Sequence, residues 1–167
     1  ENMSIALAES VANQGQGFIN SMAFGNGGTS VDPTGIITYL TPNSTGTNAS
    51  LYNQTYSKVV DDRSVTNLDP QRNKIETRHV NGTNYTDVLV TCLLDYGEPN
   101  GQDAVDQASQ ANSLYVFDEL GLVSYSPNGT GKLLTHVVFH PVQKSLNRLV
   151  QIDYTVRVQS LTGFNEG

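Results

Sequence analysis

A mainly β fold, an antiparallel β-sandwich or partly closed barrel with one short N-terminal α-helix, is what the sequence predicts. Three observations carry that expectation. From Leu149 to Val158 the chain alternates almost without error: Val150, Ile152, Tyr154, Val156 and Val158 share one side, and Gln151, Asp153, Thr155 and Arg157 the other. That is the period-2 signature of a half-buried strand. The composition has 15 Gly, 8 Tyr, no Trp and 15% charged residues, and is rich in Asn, Thr and Ser, which suits strands joined by polar turns. Only one segment has helical spacing.

That segment is Asn2 to Gln14, where Ile5, Ala8, Val11 and Ala12 recur at helical intervals, with Asn2 or Ser4 available as N-cap and Gly15 as a stop. A helix this short is marginal alone and must lie on the sheet or on another subunit. Phe18 to Phe24 reads as a strand. Gly25-Asn26-Gly27-Gly28 then permits positive φ and a tight reversal, and Asp32-Pro33-Thr34-Gly35 is a second turn. Ile36 to Leu40 is a short strand. Thr41 to Ser50 is a polar loop without a hydrophobic anchor, expected to be exposed and mobile. Leu51 to Val60 is a weakly patterned strand.

Asn81-Gly82 lies between two β-type runs, Lys74 to Val80 and Tyr85 to Asp95, and suits the primed turns of hairpins. Apolar residues on both faces of the second run (Val88, Val90, Cys92 and Leu94; Leu89 and Leu93) mark it as central. Gly97 to Asn112 is polar, a loop or a single helical turn at Asp103 to Ala108. The last third, Leu114 to Ser160, reads as strand, hairpin loop, strand, short connection, strand: a meander of neighbours in which the middle strand, from Lys132, ends at Pro141.

One domain is expected over 167 residues: residues 1–15 a helix or arm, 18–160 the sandwich, 161–167 a tail. Nine Lys and Arg against 16 Asp and Glu give a formal charge of −7, which repels a phosphate backbone, so nucleic acid is not an expected partner. No run approaches the ~18 apolar residues of a membrane helix. Glu1 and Glu9 stand where an export leader would be basic, so neither signal peptide nor anchor is expected. The single cysteine, Cys92, sits in an apolar strand and reads as a buried thiol.

The chemistry-bearing residues form no recognised constellation. His136 and His140 are four apart, but in a strand that separates them by ~13 Å, too far to share one zinc ion. His79 reads as a surface imidazole. Asp95, Glu98, Asp103 and Asp106 lack the Asp/Asn alternation and central Gly of a calcium loop. No Ser sits in a nucleophile elbow. Asn-x-Ser/Thr triplets at Asn2, Asn43, Asn48, Asn53, Asn81, Asn84 and Asn128 are what so Asn- and Thr-rich a chain generates by chance. Neither enzyme, metal nor cofactor is expected.

Two sets of segments carry a resemblance. Phe24-Gly25-Asn26-Gly27-Gly28 is followed by Asp32-Pro33-Thr34. Asp118-Glu119-Leu120-Gly121-Leu122 is followed by Gly131-Lys132-Leu133-Leu134 and Phe139-His140-Pro141-Val142-Gln143-Lys144. In these the chain resembles virion proteins of tailed bacteriophages, and the N-terminal domains of tail-collar and tail-fibre attachment proteins look similar. The resemblance implies a non-enzymatic attachment module, made in the host cytoplasm and built into the particle. Its partners would be other virion proteins and copies of itself in a symmetric homo-oligomer. A baseplate or tail adaptor is favoured, with a capsid decoration or head–tail completion protein as the alternative.

Candidate contact or motif residues are Ile5, Ala8 and Val11 on the helix; Phe24, Gly25, Asn26 and Gly27 at the first turn; Glu119, Leu120, Gly121 and Leu122; and Pro141 and Lys144. From another class, a carbohydrate-binding module would use the tyrosines and polar loops.

Overall fold

In the computed structural model, which describes residues 1–43, 46–99, 115–146 and 148–161, one helix and nine strands follow each other. They are α1 (Asn2–Val11), β1 (Ile19–Gly25), β2 (Thr29–Val31), β3 (Ile37–Tyr39), β4 (Gln54–Val59), β5 (Lys74–His79), β6 (Tyr85–Leu94), β7 (Tyr115–Ser124), β8 (Val137–Lys144) and β9 (Val150–Gln159). The strands form three antiparallel sheets, ordered β4-β1-β7-β8, β5-β6-β9 and β2-β3, none closed into a barrel. The larger two enclose one core in the manner of a β-sandwich: Met22 and Phe24 from β1 and Phe117, Leu120 and Leu122 from β7 meet Val90, Cys92 and Leu94 from β6.

β9 is half-buried as its alternation predicts, but it does not continue a meander beside β8. It crosses to the other sheet and pairs with β6 over its whole length, Ile152 opposite Cys92, Tyr154 opposite Val90 and Val156 opposite Val88. The apolar face of β1 and β7 needs a second sheet to cover it, and β9 supplies one strand of that cover. β6 is central, as its two apolar faces require.

Several local expectations are corrected. β8 starts at Val137 and runs through Pro141. It is an edge strand, and its pairing with β7 jumps from Val138–Glu119 to Val142–Phe117, so the proline falls where no ladder bond is demanded of it. The β5–β6 hairpin forms, but a five-residue connection replaces the two-residue primed turn. There Thr83 N donates to Val80 O and Gly82 alone has positive φ, +89°.

Gly25, Gly27 and Gly28 are not in the left-handed region, and the segment bends at Asn26 and Gly28 between β1 and β2. Helix α1 stops at Val11, before Gly15. Its N-cap is Glu1 without a side-chain bond, while the Asn2 amide donates to Leu133 O at 2.9 Å. Asn2 and Ala6 are buried, Ala8 is exposed, and Val11 is 86% exposed. The apolar stripe read from the sequence therefore does not face the sheet. Thr41 to Ser50 is largely exposed, as expected, but anchored where described: Asn43 N donates to His136 and Ala49 packs with Leu51, Ala23 and Leu133.

Candidate functional site

The two motif segments meet. In the β1–β7 pair Phe24 lies opposite Leu120 and Gly25 opposite Glu119, which brings Asp118 and Glu119 against the glycine-rich segment. Phe117 and Leu120, three apart, both enter the core, so alternation slips by one residue and two consecutive carboxylates reach the same side. Both are buried.

Each oxygen of Glu119 accepts two bonds. Oε1 takes Tyr52 N at 2.8 Å and His136 Nε2 at 2.7 Å; Oε2 takes Gly27 N and Asn53 N, both at 2.9 Å. Burial works against the charge, but the three amides and the imidazole outweigh it and hold the carboxyl below its ordinary range. Asp118 accepts Gly28 N at 2.8 Å, Thr29 N at 3.0 Å and Thr29 Oγ1 at 2.5 Å. The His136 ring is settled by its partners: Nδ1 accepts from Asn43 N at 2.7 Å, so Nε2 carries the proton donated to Glu119.

The glycines make this clasp possible by their lack of a side chain, not by unusual φ. A Cβ at Gly25 would lie 2.7 Å from Glu119 Oε2, one at Gly27 2.8 Å from Tyr52 Cβ, and one at Gly121 2.6 Å from Leu133 Cδ1. Phe24 completes the junction from the core side, its ring edge-on to Phe117 at 5.3 Å. The clasp binds three segments to β7: 25–29, 52–53 and, through His136, residue 43.

From this clasp springs the β2–β3 hairpin. Asp118 grips Thr29, the first residue of β2, and Leu40 N donates to Gly28 O at 2.8 Å where the hairpin returns. At its tip Asp32 Oδ1 accepts from Thr34 N, Thr34 Oγ1 and Ile36 N, bonds that lower the Asp32 pKa. Yet the hairpin forms its own two-stranded sheet and leaves Val31 62%, Ile36 63%, Tyr39 51% and Leu40 39% exposed. A two-stranded ribbon with this much exposed apolar surface is marginal in water by itself. A stiff root and an apolar, uncovered arm together make the best candidate contact element.

Other expected residues lie elsewhere. Leu120 and Leu122 are core residues. Lys144 is 2% exposed at the end of β8, with its Nζ donating to Ser145 O at 2.9 Å. Ile5 is half-buried on α1. The helix borders an apolar groove of about 870 Å³, lined in part by Leu7, Ile19, Ile75, Val88 and Val156. Cys92 is buried in β6, and desolvation pushes its thiol up to about 12.

His79 and His140 are exposed. Asp95 pairs with Arg72 and Glu98 with Lys58, while Asp103 and Asp106 and the tail from 162 on lie outside the described residues. Among described residues no group of three His, Cys, Asp or Glu is placed to hold a metal, and no helix is long and apolar enough to cross a membrane.

The clasp had one visible sign, the adjacent acids Asp118-Glu119 inside an otherwise apolar β run, since buried carboxylates require donors. Nothing local pointed to His136, Tyr52 or Asn53 as those donors, because they are 17, 67 and 66 residues away from Glu119. No protein-family model, curated protein or solved structure matches the chain.

Proposed function

We propose that the protein is a non-enzymatic assembly component that docks through its β2–β3 arm, and that the assembly is a tailed-bacteriophage particle, as a baseplate or tail-attachment adaptor. The observation that carries the assembly part is the pairing of opposites at one place. Two buried carboxylates fix the arm's root, while Val31, Ile36, Tyr39 and Leu40 on the arm lack cover. Rigid placement of uncovered apolar groups lowers the ordering cost of association. The virion assignment is supported by the resemblance of the two motif segments, and those are the segments that build the clasp.

The test is direct. Val31→Asp with Ile36→Asp leaves a folded protein, its stability changed by no more than about 0.5 kcal/mol as for exposed sites away from packed contacts. Phage particles grown with this variant should lack the protein when their composition is measured by mass spectrometry of the purified virions. Wild-type protein absent from purified particles would refute the virion assignment, and normal incorporation of the variant would refute the arm.

A further inference from the structure

We propose that β9 is a self-complementary edge, and that two copies of this chain pair β9 to β9 about a two-fold axis at Thr155, joining two three-stranded sheets into one of six strands. β9 ends its sheet among the described residues, and its ten residues contain neither Pro nor Gly nor a register shift. Ser160 N donates to Asn84 O at 2.8 Å on the β6 side. With an unbroken register this points the amides and carbonyls of Gln151, Asp153, Thr155, Arg157 and Gln159 outward, where a second strand would meet them.

Charge picks the partner and the register. A two-fold at Thr155 sets Asp153 of one copy opposite Arg157 of the other, twice by symmetry, Gln151 opposite Gln159, and Ile152 opposite Val158 on the inner face. Within one chain, cross-strand neighbours already place Arg78 beside Asp87 and Asp87 beside Arg157. Arg157 bonds both Asp87 oxygens, at 2.8 and 3.2 Å, and its guanidinium lies 3.7 Å above the Tyr85 ring. Asp153 stands beside Thr91, which stands beside Lys74. Across the axis the outer face then reads Arg78, Asp87, Arg157, then Asp153, Thr91, Lys74 of the second copy, with no like charges adjacent.

The other edges do not accept a copy in this way. On β5 the outward-facing amide of Ile75 already donates to Asp62 Oδ1 at 3.3 Å, so that edge is partly capped by its own chain. β8 carries Pro141 and a ladder that slips, and β4 has only six residues with a shift near Gln54. Such features are how edges are kept from pairing; on β9 they are absent.

This pairing deepens the assembly reading, since it names one partner as the chain itself. The experiment is sedimentation of the whole chain at micromolar concentration, with Asp153→Arg and, separately, Thr155→Pro, each first checked for a wild-type cooperative thermal transition. The wild type should sediment as two chains of 18.1 kDa. Asp153→Arg puts two like-charge contacts at the axis and should weaken the dimer about a hundredfold. Thr155→Pro removes an outward amide that β6 does not use, and should give a monomer.

If Asp153→Arg fails to fold, Thr155→Pro decides. Mixing Asp153→Arg with Arg157→Asp should restore a two-chain species, because every facing pair is then of opposite sign. A wild-type monomer, or an oligomer untouched by the substitutions, overturns the proposal. A monomer that is nevertheless present in purified particles would overturn β9 pairing alone, and a β9 dimer absent from particles would overturn the virion assignment alone.

Discussion

Glu119 shows how one side chain organises distant backbone. Four donors converge on its two oxygens, two on each, so an amide in its place would turn an NH2 group toward two donors whichever way it flipped. Glu119→Gln is therefore expected to cost about 3 kcal/mol of unfolding free energy in a denaturant titration, in the range for a buried charged acceptor whose partners are left unpaired. A loss below about 1 kcal/mol would mean that water or rotation relieves the clash and that the clasp is weaker than its geometry. The motif glycines follow the same logic. Their value is close approach of Gly25, Gly27 and Gly121 to neighbouring atoms, a requirement set by chain segments far away in sequence and so not visible as a turn signal.

At the scale of elements, α1 and the β2–β3 arm are both attached by few contacts but in different ways. α1 is tied down mainly by Asn2 and Ala6, with Leu7 42% exposed along the groove and Val11 86% exposed. Removing residues 1–14 should leave a single cooperative transition, lowered by about 5 °C because little apolar area is lost from the core. It should also abolish particle assembly if Val11 and its neighbours contact another subunit. Loss of the cooperative transition in calorimetry would instead make α1 part of the core. The arm's strands pair with each other in three rungs, Thr29–Tyr39, Ser30–Thr38 and Val31–Ile37, too few to persist without the Asp118 grip at its root.

For the whole molecule, acid is the informative perturbation. Glu119, Asp87, Asp95 and Asp32 all have carboxyl pKa values lowered in the fold, Glu119 by amides and His136 against its burial, Asp87 first by Arg157, Asp95 by the Tyr96 amide, Asp32 by Thr34. A group whose folded pKa lies below its unfolded one adds stability that is complete above the unfolded value, about 4 for carboxylates, and is lost as pH falls through the folded value. Thermal midpoints should thus fall steeply below about 4, with a shallower fall in Glu119→Gln. An identical acid slope in that variant would remove Glu119 from the account.

Local pattern alone determined that the chain is mainly β, where most strands lie, that β6 is central and Cys92 buried, because alternation and turn chemistry act over a few residues. Only the tertiary structure decided that β9 leaves β8 for β6, that β8 tolerates Pro141, that α1 turns Ala8 and Val11 outward, and that His136, Tyr52, Asn53 and the glycines converge on Asp118-Glu119. Each of those depends on which distant strand completes a core or supplies a hydrogen-bond donor, and no short-range pattern encodes the identity of a partner tens of residues away.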